Sequence, residues 1–257
     1  MIAYGTRARA EATRRAIPLR FDGAEPSVFH KSEWMDAGQD PHLSPTIFLV
    51  EQPPNSVAPA HFHRQNQFQL FIEGDGSIGR HPLEPLTVHY AGAYTGYGPL
   101  VAGASGLKYF TIRPVYESGL IPISDRDKMV RGPKRHAQVG PIAAASTDSL
   151  QTLSAPVFDD VLPVAEDGLG VVVAKLPPGA ALVAQRPAHA GDPFLVVLAG
   201  SLRNGEQELG RWESAFATSD EALTDFTAGP EGAQVALLYT PQKASAYMPA
   251  TADGGQC

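Results

Sequence analysis

SPTIFLVEQPPNSVAPAHFHRQNQFQLFIEGDGSIG, residues 44–79, and GLGVVVAKLPPGAALVAQRPAHAGDPFLVVLAGSLRNG, residues 168–205, follow one plan. Each runs apolar strand, Pro-Pro, turn, extended segment, apolar strand and glycine turn, which is a strand-rich pattern punctuated by tight turns. Pro53 and Pro54 match Pro177 and Pro178 at an offset of 124, while Phe68, Gly74 and Gly79 match Phe194, Gly200 and Gly205 at an offset of 126. Further along, GLKYFTIRP (106–114) resembles GAQVALLYTP (232–241). Asn55 stands where the second copy has Gly179. Both residue types tolerate a left-handed backbone, so the same turn is expected in both copies. The chain therefore reads as a duplicated β unit.

Composition agrees. The chain has 257 residues, with 25 Gly, 23 Pro and only 18% charged residues. Gly and Pro stand well above their usual ~12% share, and charged residues fall below the usual ~25%. Many turns joined by short apolar runs indicate an all-β protein. No apolar run approaches the ~18 residues of a membrane helix, and the basic start MIAYGTRARAEATRRAIPLRF has no apolar core of a signal peptide. The one cysteine, Cys257, excludes a disulfide framework or a cysteine zinc site, and makes the cytoplasm the expected compartment. The net charge of −7 argues against a nucleic-acid partner, despite basic clusters at 1–20 and 126–136. The expected organisation is an N-terminal segment (1–43, with a short helix in 7–17), a first unit (44–117), a connector (118–152), a second unit (153–243) and a frayed tail (244–257).

The first unit carries the chemistry. Four of the eight histidines, His61, His63, His81 and His89, fall within one short stretch. His61 and His63 are two apart, so on a strand they face the same way and can aim two imidazoles at one point. In QFQLFIE, Gln67, Gln69, Phe71 and Glu73 share one face, and Phe68, Leu70 and Ile72 share the other. The apolar face needs cover from a second sheet, the other unit or a partner chain. The glutamine face is expected to line a cavity beside the histidines. In LTVHY, His89 shares a face with Thr87, opposite Leu86, Val88 and Tyr90. His81 lies beside Pro82 in a turn, and His30, His42 and His136 are expected in solvated loops. Tyr90, Tyr94 and Tyr97 can donate hydrogen bonds. Arg113 shares a face with Tyr109 and Thr111 and can clamp a carboxylate or pair within the fold. No phosphate-binding loop, dinucleotide fingerprint, nucleophile elbow or zinc-finger spacing is present.

These residues resemble the cupin superfamily. The family's first motif is Gly, five residues, His-x-His, three or four residues, Glu, six residues, Gly. Here it reads Asn55, His61-Phe62-His63, Gln67 and Gly74. Asn replaces the first Gly and Gln67 replaces the Glu. The second motif is poorer: Gly92 and Pro99 can be matched, but its histidine is absent. The second unit keeps the strands and turns and has lost the His-x-His, with only His189 near the place. The resemblance implies two double-stranded β-helix barrels in tandem, a jelly-roll-like bicupin. It implies one divalent transition metal (Fe, Mn, Ni or Zn) held by His61 and His63 with Gln67 beside them; the strand faces add His89 as a candidate further ligand, and Gln69, Phe71, Tyr97 and Arg113 as candidate contacts to a small organic substrate. The implied activity is of dioxygenase, isomerase or lyase/cyclase type. The alternative is a non-catalytic bicupin that binds a small ligand. The resemblance also implies a homodimer and a second barrel that is structural.

Overall fold

The computed structural model describes residues 1–19 and 26–248. The chain begins with β1 (Ile2–Gly5), α1 (Arg7–Thr13), β2 (Arg15–Leu19) and β3 (Ser27–Asp36). The first repeat is β4 (Thr46–Gln52), β5 (Val57–Ala58), β6 (His61–Phe62), β7 (Gln67–Ile78), β8 (His81–Leu83), β9 (Val88–Ala91) and β10 (Leu100–Arg113). Next come β11 (Ile121–Pro122), β12 (His136–Val139), α2 (Thr147–Gln151) and β13 (Val157–Leu162). The second repeat is β14 (Gly170–Leu176), β15 (Pro193–Asn204), β16 (Gln207–Leu209), β17 (Ser214–Ala217) and β18 (Phe226–Tyr239). No helix of the described residues is long and apolar enough to cross a membrane.

Two large antiparallel sheets result, with a third of two strands in which β11 pairs with β6. One has the order β12-β9-β7-β10-β4-β3-β2, with β5 on β10 and β8 on β7; the other has β1-β17-β15-β18-β14-β13, with β16 on β15. The duplication reaches single residues. In β7 the extra residue of a bulge is Ile72, because Lys108 faces Glu73 and Tyr109 faces Phe71. In β15 it is Leu198, at the same offset of 126, because Val197 faces Val235 and Ala199 faces Gln234. Asn55 has φ 57° and Gly179 has φ 73°, the left-handed turn expected at both. Gly74 and Gly200 each have positive φ, and a Cβ there would lie 1.9 Å from Gly106 O and 2.0 Å from Gly232 O respectively. Only a residue without a Cβ permits these two long strands to approach so closely.

Three regions of the chain depart from the expectations. The connector is not irregular, since β12 pairs with β9 through His136–Ala91 to Val139–Val88. The N-terminal segment is split: β2 and β3 extend the first sheet, whereas β1 crosses to pair with β17. The tail is docked at its start, with Tyr247 buried and its hydroxyl donating to Pro133 O at 2.7 Å; residues 249–257 of the expected frayed tail, Cys257 included, lie outside the described residues. Histidines expected in loops also move. His30 sits on β3 and His136 on β12, while His42 lies in a bend.

The apolar face of β7 is covered within the chain. Phe68, Leu70, Val88, Phe110 and Ile112 pack against Val171, Val173, Phe194, Val196, Ala236 and Leu238 of the second sheet, with Ile72 at the margin. Burying a side chain of this size contributes roughly 1.5–3 kcal/mol before entropy is counted, so this joint is a principal source of stability. It also removes that face as a reason to expect a dimer. The inward faces of the two repeats differ in kind. The second barrel is filled by Val172, Leu195, Val197, Ala215, Leu223, Phe226, Leu237 and their neighbours. At the matching positions the first barrel places Gln69, Phe71, His89, Tyr97 and Thr111.

Candidate functional site

Four elements of the first barrel deliver the polar side chains. β6 and the residue after its end carry His61 and His63, β7 carries Gln67 and Gln69, β9 carries His89, and β10 carries Arg113 at its C-terminal end. Tyr97 comes from the loop between β9 and β10, held by a backbone bridge to His61: His61 N donates to Tyr97 O at 3.0 Å and Tyr97 N to His61 O at 2.9 Å. All six of His61, His63, Gln67, Gln69, His89 and Arg113 are buried, and so is Tyr97. Their inward direction follows from the alternation that turns Phe68 and Leu70 toward the other sheet.

The hydrogen bonds form one directed chain. His61 Nδ1 lies 2.7 Å from Pro59 O, and a carbonyl oxygen can only accept, so Nδ1 carries the proton. The lone pair of His61 is then on Nε2, 2.8 Å from the Tyr97 hydroxyl, which must donate to it. Tyr97 oxygen in turn accepts from the Gln67 amide Nε2. Gln67 Oε1 accepts from Arg113 Nε at 3.0 Å and from Nη2 at 2.9 Å. The sequence of donation is Arg113 to Gln67, Gln67 to Tyr97, Tyr97 to His61 and His61 to Pro59. Each link polarises the next, and the run starts at a cation and ends at a backbone oxygen. A glutamine, with one donor and one acceptor, is the residue this chain requires at position 67. A glutamate there could only accept.

Arg113 has further partners. Its Nη1 donates to Glu117 O at 2.7 Å, and its Nη2 sits 3.1 Å from His63 Nδ1 and 3.2 Å from His63 Nε2. The Glu117 carboxylate accepts from Arg64 N at 3.0 Å and lies 3.9 Å from His63 Nδ1. Burial lowers the pKa of Arg113, and the Glu117 charge opposes that fall. Burial drives His61 down to about 4 and His63 well below its ordinary value, with the Arg113 charge adding to both shifts. Burial raises Tyr97. At neutral pH the centre thus holds two neutral imidazoles, a neutral phenol and one guanidinium.

His89 stands on the far side of the Tyr97 ring, with ring centroids 5.2 Å apart. Its Nδ1 is 3.0 Å from Gln69 Oε1, which fixes the proton on Nδ1 and leaves Nε2 with its lone pair, without a hydrogen-bond partner among the described residues. Burial takes its pKa to about 3, helped by His136 and His81. A cavity of about 590 Å³ opens here, lined by Arg80, His81, His89, Tyr97, His136 and Gln138 among others. Of the residues expected to contact a ligand, Phe71 is in the apolar core with Tyr109, 5.1 Å between ring centroids, and Gln69 serves as the acceptor for His89. Tyr90 belongs to the packing between sheets, and Tyr94 stacks near Tyr247 at 5.0 Å. His189 is exposed in the second half and makes no side-chain hydrogen bond to this cluster. The residues missed from sequence are Glu117 and the Pro59 carbonyl, neither of which belongs to a motif.

The fold of the chain matches solved structures. A candidate dioxygenase from Nostoc punctiforme superposes with a TM-score of 0.58 at 14% identity, covering 98% of this chain and 85% of that one. The fold is that of the cupins. An Escherichia coli pirin solved in complex with nickel(II) superposes on this chain with a TM-score of 0.53 at 13% identity, covering 94% of this chain and 99% of that one. A Bacillus subtilis oxalate decarboxylase variant gives 0.54 at 9% identity, with 90% and 78% covered; a further structure of that enzyme concerns its Mn(II) centres. No protein-family model matches the chain, and no curated protein sequence matches it significantly.

Whether the donors of the first barrel fit a metal is decided by their own atoms. The lone pair of His61 is taken by Tyr97, the oxygen of Gln67 is taken twice by Arg113, and the Arg113 guanidinium lies against His63. No group of three or more His, Cys, Asp or Glu among the described residues could hold a metal ion. His89, expected as a further ligand, turns its free nitrogen to the cavity on the other side of Tyr97. A divalent ion would have to share this space with a buried positive charge and without a carboxylate ligand. The donor set in this arrangement does not fit one.

Proposed function

We propose that this protein is a bicupin that binds a small polar organic molecule in its N-terminal barrel without a resident metal, the second barrel serving as structural support. The observation that carries this reading is His89: a buried imidazole with an unpartnered Nε2 lone pair, facing a cavity of about 590 Å³. That size lies within the usual range for small-ligand sites, and such sites are recognised by a few placed polar groups. His89 Nε2 accepts a hydroxyl or N–H of the ligand, Tyr97 supplies an aromatic wall, and Arg80, His81, His136 and Gln138 line the rest. The test is NMR of histidine-¹⁵N-labelled protein, in chelator, against a panel of small hydroxy- and oxo-acids and amides. A binder should shift the His89 Nε2 resonance, and His89→Phe should abolish its binding. A panel that shifts no histidine of the cavity would end this reading.

A second reading, a metal-dependent cupin enzyme of dioxygenase, isomerase or lyase type, draws on a different observation. His61 and His63 are neutral, buried and 5.2 Å apart by ring centroid, and structural relatives are described with nickel(II) and Mn(II). It requires Tyr97 and Arg113 to leave their present partners. Elemental analysis of untagged protein separates the two readings, since stoichiometric Fe, Mn, Ni or Zn favours the enzyme.

A further inference from the structure

We infer that Arg113 is the resident cation of the first barrel: its guanidinium takes the place of a metal ion, and removing it together with the Tyr97 hydroxyl uncovers a latent divalent-metal site formed by His61, His63 and Gln67. The inference rests on the metal-free reading above. The ligands that a cupin would offer an ion are present apart from the acidic one, and each is oriented by a positive charge. Gln67 Oε1, the atom standing where the family has a carboxylate, points at Arg113 Nε and Nη2. The guanidinium lies against the His63 ring, with Nη2 3.1 Å from Nδ1 and 3.2 Å from Nε2, and the electron pair of His61 is aligned through Tyr97 and Gln67 by the same cation. Arg113 is 2% exposed.

Three sequence features fit together on this basis and on no other offered by the fold. Gln at 67 is needed because it can accept from the cation and pass a donor to Tyr97. The second-motif histidine is dispensable because no ion needs it. The charge of the centre is kept at one positive unit by a side chain that is ionised at every physiological pH, so occupancy does not depend on metal supply. Glu117 completes the arrangement: its carbonyl accepts from Nη1, and its carboxylate stands beside His63 as the nearby counter-charge.

The test is uptake of Ni(II) and Zn(II) by untagged protein, followed by equilibrium dialysis and by perturbation of the His61 and His63 resonances. Wild type should take up less than a tenth of an equivalent at those histidines. Arg113→Ala/Tyr97→Phe should bind about one equivalent, with affinity raised at least about a hundredfold, because the phenyl ring frees His61 Nε2 and a unit charge within a few ångströms of a divalent ion is worth several decades even at an effective dielectric near 20. Adding His61→Ala and His63→Ala to that variant should abolish the uptake. A folded Arg113→Ala/Tyr97→Phe protein that binds no metal overturns the inference and leaves the reading of ligand binding at His89 standing. Stoichiometric metal at His61 and His63 in wild type overturns both. Should Arg113→Ala/Tyr97→Phe fail to fold, Gln67→Glu is the alternative probe. With Arg113 as resident cation the new carboxylate pairs with the guanidinium, and metal uptake stays at the wild-type level; a tenfold or greater rise in uptake would refute it.

Discussion

Replacing Tyr97 with phenylalanine removes one oxygen from the middle of the hydrogen-bond chain and changes little else in shape. The hydroxyl has two partners, the Gln67 amide that donates to it and His61 Nε2 that accepts from it. Both partners are buried, with Gln67 1% and His61 5% exposed, so water cannot replace the lost bonds freely. Leaving a buried donor or acceptor unsatisfied costs about 1–3 kcal/mol. Two such groups, partly relaxed by movement of the Gln67 amide, give an expected loss of about 2–4 kcal/mol, a large part of the ~5–15 kcal/mol that holds a typical domain folded. Tyr109 supplies the internal control. It too is buried, it packs on Phe71 in the same barrel, and its hydroxyl makes no hydrogen bond among the described residues. Tyr109→Phe should therefore stay within about 1 kcal/mol of wild type. The measurement is urea unfolding of the three proteins, with the m-value unchanged so that midpoints report stability. A Tyr97→Phe protein that loses less than about 1 kcal/mol, or no more than Tyr109→Phe, would mean that the directed chain does not exist in solution.

Other outcomes follow from the same contacts. The folded pKa values of His61 and His89, about 4 and about 3, lie below the unfolded value of 6.5, and His63 is shifted the same way. The unfolded chain thus binds more protons below pH 6.5, so stability is full above that value and falls as pH drops through 6.5 toward 4; urea titrations from pH 7 to 4 should show the fall, and His89→Gln should make it shallower. Gly74→Ala places a methyl group 1.9 Å from Gly106 O at φ +86° and should cost more than about 3 kcal/mol or prevent folding. Gly38→Ala, also at positive φ but with no atom within 4 Å, should cost less, as thermal unfolding of the pair will show. His189→Ala, at an exposed position of the second half, should leave both stability and ligand binding unchanged.

How much of this was legible in the sequence depends on the distance over which residues cooperate. The duplicated plan was visible because local turn chemistry and strand alternation repeat: Asn55 and Gly179 are both left-handed, and Gly74 and Gly200 both sit under a neighbouring carbonyl. The alternation in QFQLFIE placed Phe68 and Leu70 in the inter-sheet core and the two glutamines inward, as found. The partners of those glutamines were not legible. Arg113 is 46 residues from Gln67 and 50 from His63, and only the pairing of β10 with β7 brings them together. His136 was misplaced because HAQV is too short and polar to signal a strand, and it becomes one by pairing with β9. The crossing of β1 had no local signal at all. Four residues, IAYG, carry no information about a partner more than two hundred positions away.

That crossing bears on how the molecule comes into being. Ile2 faces Ala217 and Gly5 faces Ser214, so during synthesis β1 waits for a strand some two hundred residues later before it can pair. Meanwhile β2 and β3, only a few residues behind it, belong to the sheet that is complete much earlier. The entropic cost of closing so long a loop is modest, since each doubling of length adds about 0.6 kcal/mol. The kinetic consequence is larger, because contacts between distant parts of a chain slow folding. Cutting the chain between the repeats would not release two independent folding units. The first fragment would carry a strand with no sheet to join, the second would expose the edge of β17, and each would expose the apolar joint between the sheets, leaving two aggregation-prone halves.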